Sequence, residues 1–224
     1  MSVTVLYEDS DLIVCVKPAG VPSQSDPSGS TDMTALLREH LALRGEKSDV
    51  FVVHRLDRAV GGVMVYAKSK RAASELSRAI AERSDFEKIY LAVVQGEPQQ
   101  PCGTLEDYIY KDAKAHKAYV ASGKRQGVKY ASLDYTLMDT VTVGEKKFSL
   151  LKIKLGTGRF HQIRVQLASR GLSICGDGKY GSREKCPSIS LWAYSLSFTY
   201  NGRSMTFNHS PEENDLWNLF NTLI

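Results

Sequence analysis

Residues 52–69 read VVHRLDRAVGGVMVYAKS. An apolar run that starts at Phe51 enters this segment, and a second, Val63-Met64-Val65-Tyr66-Ala67, leaves it. Both are too continuously apolar to keep a solvent face, the pattern of strands covered on two sides. Between them stand His54-Arg55-Leu56-Asp57-Arg58 and then Gly61-Gly62. A carboxylate whose backbone is anchored in a core needs a cation or several N–H donors to stay ionised. Asp57 is therefore either one end of a salt bridge that holds a turn, or a group held in place for chemistry. The two glycines permit a tight bend or the close approach of another backbone.

Upstream, SVTVLYED and DLIVCVKP predict two short strands around an Asp/Ser turn. KPAGVPSQSDPSGS is a Pro/Gly/Ser-rich connection. TDMTALLREHLALRG predicts a helix capped by Asp32, striped by Met33, Leu36, Leu37 and Leu41, and stopped by Gly45. VFVVH and GVMVYAKS are the two covered strands around Asp57. Downstream, SKRAASELSRAIAERS is a helix with Ser69 as cap, and FEKIYLAVVQGE is a strand ended by Gly96. From Pro98 to about Val143 the pattern is mixed, with short strands such as KAYVAS and YASLDYTLM between loops. KKFSLLKIKLGTG alternates as a strand. RFHQIRVQLASRG is a helix opened by Arg159, with Gly171 at C′. LSFTYNGRSMTFN is a hairpin whose Asn201-Gly202 pair suits a type I′ turn. A last helix is expected at Ser210-Pro211-Glu212-Glu213, a capping box with Pro at N1. Together these predict a single α+β domain over residues 1–224, built on a mixed, mainly antiparallel central sheet with flanking helices.

The chain of 224 residues is 42% hydrophobic and 24% charged, the balance of an ordinary globular protein. No apolar run approaches the roughly 20 residues that cross a bilayer, and MSVTVLYEDSD has neither the basic nor the apolar region of a signal peptide. Four scattered cysteines without a C-x-x-C pair argue against a zinc site and for a reducing, cytoplasmic location. Net charge is +4. The cations concentrate in two stretches, Lys111 to Lys129 and Arg159 to Lys185, which favours a polyanionic partner.

A second constellation is LGTGRFHQIRVQL. Gly156-Thr157-Gly158 falls where strand passes to helix, a natural anion site. Arg159 at its start can project toward a carboxylate or phosphate, and Arg164 need not share its face. The glycines match neither a P-loop nor a dinucleotide fingerprint. His54 and His161 have no third ligand at metal spacing, so no metal is expected. Tyr90 reads first as a core aromatic and gains a function only if its ring lines the same cleft as Asp57, where it can stack on a base.

Four of these segments, in order, resemble the RluA-type family of RNA pseudouridine synthases. DLIVCVKPAGVPSQSD is similar to that family's opening strand and Lys-Pro-x-Gly loop, and HRLDRAVGGVMVYAKS to its His-Arg-Leu-Asp segment. EKIYLAVVQGE is similar to its Lys-x-Tyr-x-Ala strand, and LGTGRFHQIRVQLASRGLSICGDGKYG to its Thr-Gly-Arg-x-His-Gln-Ile-Arg segment with the Gly-Asp and Tyr-Gly that follow. The chain departs where the family usually has Thr-Ser-Gly and this sequence has Val60-Gly61-Gly62, which removes two hydroxyls. The catalytic-domain strands start at about Val3, so no N-terminal S4-type domain is expected.

The resemblance implies that Asp57 is the catalytic carboxylate, that Tyr90 stacks on the target base, that Arg159 pairs with the carboxylate, and that Arg55 helps push the nucleotide from its stack. Arg58, His54, Lys117, His161 and Arg164 join Arg55 as expected RNA contacts around an active-site cleft. The implied reaction is the isomerisation of uridine to pseudouridine in RNA, ribosomal RNA first and transfer RNA second. It implies no metal and no nucleotide cofactor; no membrane partner is expected from the composition, and a monomer is expected. Two rivals remain. One is a metal-dependent RNA hydrolase or glycosidase, for which Asp177 is the candidate second carboxylate. The other is a non-catalytic RNA-binding module on the same fold.

Overall fold

The computed structural model describes residues 3–27, 29–46, 49–212 and 216–220. The chain divides into two compact units, Met1–Lys88 with Trp192–Pro211, and Ile89–Leu191 with Glu212–Ile224.

In the first unit β1 (Thr4–Glu8) pairs antiparallel with β2 (Leu12–Lys17), and β2 with β4 (Gly61–Ala67). Asp9 makes the β1–β2 turn by accepting from the N–H groups of Asp11 and Leu12. β10 (Leu191–Tyr200) runs parallel to β4 and antiparallel to β11 (Arg203–Asn208), so the sheet is mixed. The β10–β11 turn has positive φ at both Asn201 (49°) and Gly202 (72°), as a type I′ turn requires.

Every residue of β2 and of β4 is buried. Side chains alternate across a strand. Leu12, Val14, Val63, Val65 and Ala67 therefore share one face, packed with Ala72 and Leu76 of α2 (Lys70–Glu82) and with Leu196 and Phe198 of β10. Ile13, Cys15, Met64 and Tyr66 take the other face and are equally buried. The helices begin where the capping residues predict. Asp32 accepts from the N–H groups of Thr34 and Ala35 at the start of α1 (Met33–Leu43), and Ser69 from that of Ala72 at the start of α2. The strand expected over VFVVH shrinks to β3 (Phe51–Val52), half-buried and paired with the end of β4. Its polar continuation toward Asp57 leaves the ladder.

The second unit is an antiparallel sheet in the order β5-β9-β8-β6-β7. β5 (Phe86–Gln95) enters it at Ile89 and ends at Gly96, φ +83°. The region read as loops with short strands is instead β6 (Cys102–Asp112), β7 (Lys117–Ala121) and the 16-residue β8 (Val128–Val143). One face of these strands carries exposed Tyr110, Tyr119 and Tyr130, and a bulge between Leu137 and Asp139 breaks the alternation, so no apolar run marks them. β9 is Lys146–Leu155. α3 (Gln162–Ala168) packs Val165 onto Ile109, Ala118 and Ala131 of β6, β7 and β8.

α3 starts three residues later than predicted, so Arg159 precedes the helix instead of opening it. His161, at φ +51°, is its N-cap, and Gly171 follows its end at φ +77°. The last helix expected to open at Ser210-Pro211-Glu212-Glu213 is not helical over Ser210, Pro211 and Glu212; residues 213–215 lie outside the described residues, and a short 3-10 turn, Trp217–Leu219, is described beyond them.

Candidate active site

Asp57 lies half-buried on the turn between β3 and β4, which is closed by a hydrogen bond from Val60 N–H to Asp57 O of 3.0 Å. Its apolar neighbours Leu56 and Val60 anchor the turn in the core. The loop after β2 is stitched to this turn on both sides of Asp57. Ahead of it, the Ser23 hydroxyl donates to Leu56 O (3.0 Å) and accepts from Leu56 N–H (3.1 Å). Behind it, Arg58 O accepts from Gly20 N–H (2.8 Å) and from Lys17 Nζ (3.1 Å).

Lys17 closes β2 and has no exposed surface. Its Nζ also donates to Pro18 O (2.9 Å) and Val21 O (2.7 Å), so three carbonyls receive the three protons of an ammonium. Burial pushes its pKa down to about 7, Asp57 pulls it up and Arg58 pushes it down. One charged neighbour of Asp57 in this unit is thus a lysine that the sequence shows only as the first letter of Lys-Pro-x-Gly.

Arg55 and Arg58 are both exposed. Arg58 spends Nε on Gly20 O (2.9 Å) and Nη2 on Ser30 Oγ (3.1 Å), which ties it to the loop as well as to solvent. His54, expected among the RNA contacts, is engaged within the protein. Its Nε2 accepts from Val65 N–H (3.2 Å), its ring stands edge-on to Phe86, and burial lowers its pKa to about 3.

Gly61 and Gly62 mark close approaches. A Cβ on Gly61 would lie 2.2 Å from Cζ3 of Trp192, and one on Gly62, at φ +127°, 2.3 Å from Ala193 O. The indole of Trp192 occupies the space of the side chain that is missing at position 61, while its Nε1 donates to His209 O.

In the second unit Tyr90 sits within β5 opposite Ile153 and is 7% exposed. The Gly156-Thr157-Gly158-Arg159 turn is folded onto β8: Gly156 and Thr157 N–H both donate to Ser132 O, and Ser132 N–H donates to the Thr157 hydroxyl. Gln162 completes it. Its Oε1 accepts from the Thr157 hydroxyl and from Arg159 N–H, and its Nε2 donates to Ser132 O. The N–H groups expected to cradle an anion are therefore largely spent on the protein itself. Arg159 Nε donates to Tyr130 O (2.8 Å), a carbonyl of β8.

Among the described residues, Arg164 is the buried arginine. Nε and Nη2 hold Asp177 in a two-point ion pair of 2.7 and 2.8 Å, with Asp177 2% exposed, and the group lies over the Tyr180 ring. The guanidinium expected among the RNA contacts is thus engaged with Asp177, and Asp177 is not a free second carboxylate. Tyr180 accepts from Ala118 N–H (2.7 Å) and bonds His161 Nδ1 (2.8 Å), while Phe160 stacks on the imidazole at 3.8 Å. Burial lowers the His161 pKa to about 3, assisted by Arg164 and Lys179, so its ring is neutral near pH 7. Lys117 remains at the edge strand, over the rings of Tyr180 and Tyr119.

A family model described as RNA pseudouridylate synthase matches residues 11–169, a stretch that includes Asp57, Tyr90 and Arg159. Among curated proteins, the "Uncharacterized RNA pseudouridine synthase YhcT" of Bacillus subtilis is 32% identical over 184 residues, 81% of this chain and 58% of its own length. The "Dual-specificity RNA pseudouridine synthase RluA" of Escherichia coli is 33% identical over 214 residues, 91% of this chain and 90% of its own. The chain thus spans a little over half the length of the first of these relatives and most of the second. Among solved structures, "Human RNA Pseudouridylate Synthase Domain Containing 1" superposes with a TM-score of 0.79 at 23% identity, over 94% of this chain and 84% of that one, which shows a shared fold. The matched segments and these relatives place the chain in the RNA pseudouridylate synthase family.

Proposed function

We propose that this chain isomerises uridine to pseudouridine in structured RNA, with Asp57 as its catalytic carboxylate. The observation that carries the reading is the pinned turn. A single carboxylate stands between two anchored peptides, beside a buried lysine, within the segment that matches the family. Rigid placement of one acid suits a reaction that needs no redox partner.

The target nucleotide leaves its stack at a cost of a few kcal/mol. Cations on the surface, Arg55 and Lys117 among them, offset this by holding phosphates. The N1–C1′ bond then breaks, the uracil turns, C5 bonds to C1′, the C5 proton leaves and N1 gains one. Asp57 acts by attacking C1′, by stabilising positive charge there, or by removing the C2′ proton. Tyr90 holds the detached ring by stacking. Arg159 pairs with Asp57 in this reading, and Lys17 adds a further positive charge from within the same unit.

Ribosomal RNA is the first substrate in this reading and transfer RNA the second. It is supported by a relative from Borreliella burgdorferi named for the ribosomal large subunit. The whole of 1–224 acts as one catalytic domain, as a monomer in the cytoplasm; four free cysteines suit a reducing compartment. A glycosidase-type hydrolase is disfavoured because Asp177, its second carboxylate, is spent on Arg164.

The test is tritium release from RNA that contains 5-tritiated uridine. Asp57→Asn is expected to abolish release and to leave thermal unfolding and RNA binding near wild type. Release at the wild-type rate by that variant would end the proposal.

A further inference from the structure

We infer that Ser23 is a positioning residue for Asp57, an inference that rests on the reading of Asp57 as the catalytic carboxylate. Ser23 is 5% exposed and lies in a loop that no local pattern links to Asp57. Its hydroxyl satisfies both polar groups of one residue, Leu56 N–H and Leu56 C=O, as a partner strand would. Leu56 is the residue immediately before Asp57: the bond to Leu56 O holds the 56–57 peptide plane, which carries the Asp57 Cα, and the bond from Leu56 N–H holds the plane before it.

Ser23 is itself held. Its carbonyl accepts from the Tyr66 hydroxyl at 2.8 Å, and Tyr66 belongs to β4, an interior strand with no exposed residue. The chain of support therefore runs from a buried strand through Tyr66 and Ser23 to Leu56. On the far side of Asp57, Gly20 N–H and Lys17 Nζ hold Arg58 O. Removal of the Ser23 hydroxyl frees only the leading side. The turn stays tethered at Arg58, and the carboxylate gains a swing about that tether. Displacement of a reacting group by about 1 Å costs on the order of 100-fold in rate.

The test uses the full chain, with tritium release measured against RNA concentration for wild type, Ser23→Ala, Ser149→Ala and Asp57→Asn. Ser149→Ala is the matched control: Ser149 is equally buried and its hydroxyl donates to Gly96 O at 2.8 Å, in the other unit. Ser23→Ala is expected to lower kcat by about 10- to 100-fold with KM for RNA unchanged, while Ser149→Ala keeps kcat within about twofold at a similar loss of Tm. Ser23→Cys keeps the volume and weakens both bonds, and is expected to fall between wild type and Ser23→Ala; it serves also if the alanine variant does not fold. Wild-type kcat in either Ser23 variant overturns the inference, as does an equal loss of kcat in Ser149→Ala. A silent wild type or an active Asp57→Asn instead overturns the functional reading, a result distinct from both.

Discussion

Replacing Gly61 by alanine puts one methyl where the Trp192 ring already lies. The new Cβ would stand 2.2 Å from Cζ3, 2.9 Å from Cε3 and 3.1 Å from Lys17 O. Carbon atoms rest about 3.5–4.0 Å apart, so ring or strand must move by more than about 1 Å. Neither moves freely. The indole is 7% exposed and anchored through Nε1 to His209 O, and Gly61 is in register with Trp192 across the β4–β10 ladder. Overpacking of this kind costs about 1–3 kcal/mol, and the depth of the overlap puts Gly61→Ala near 3 kcal/mol by the same scale. For a chain of this size that is a fall in Tm of about 6–12 °C. Gly61 has no positive φ, so the effect is one of space and not of backbone strain. A double-mutant cycle with Trp192→Leu isolates it. In that background Gly61→Ala is expected to cost less than about 1 kcal/mol, a coupling of about 2 kcal/mol. Equal costs in the two backgrounds, read by urea or thermal unfolding, would refute the steric account. A serine at position 61 of this chain would meet the same ring, a physical reason for glycine there.

Three other outcomes follow from the geometry. Asp177→Asn strands a buried guanidinium and should destabilise the fold by about 3–5 kcal/mol, whereas Glu97→Gln, which breaks the exposed pair with Lys147, should cost under about 1 kcal/mol; similar values in urea unfolding would contradict the burial argument. His54 is held neutral down to about pH 3 in the folded chain, but takes a proton near pH 6.5 when unfolded. Below about pH 6.5 the unfolded state therefore binds more protons, and stability falls with falling pH by up to about 1.4 kcal/mol per unit for this group. His54→Gln, which can still accept from Val65 N–H, should flatten that slope between pH 6.5 and 3, and an unchanged slope would show that the ring is not held neutral. Tyr90→Phe should keep base stacking and lose less tritium release than Tyr90→Leu, and equal losses would assign the function to the hydroxyl.

Much of the local structure was readable from residue order. Asp32 and Ser69 cap the helices they were expected to cap, and Asn201-Gly202 makes the hairpin. These signals are short-range: a side chain bonds a backbone N–H two or three residues away, or a residue tolerates positive φ. The misreadings share a cause as well. β6, β7 and β8 keep one exposed face of tyrosines and charges, so their apolar content looks like loop, and Arg159 precedes its helix because Gln162 and Ser132 take up the turn's polar groups.

By itself, the sequence determined the α+β class, the family segments and the placement of Asp57 between two core-bound stretches. Only the tertiary structure decided which groups serve that carboxylate and which arginine is buried. Ser23 meets Leu56 across 33 residues, Lys17 reaches Arg58 across 41, and Arg164 finds Asp177 rather than solvent. Such contacts depend on which strands lie side by side and on the space left between them, and no pattern of period two or 3.6 along the chain carries that information.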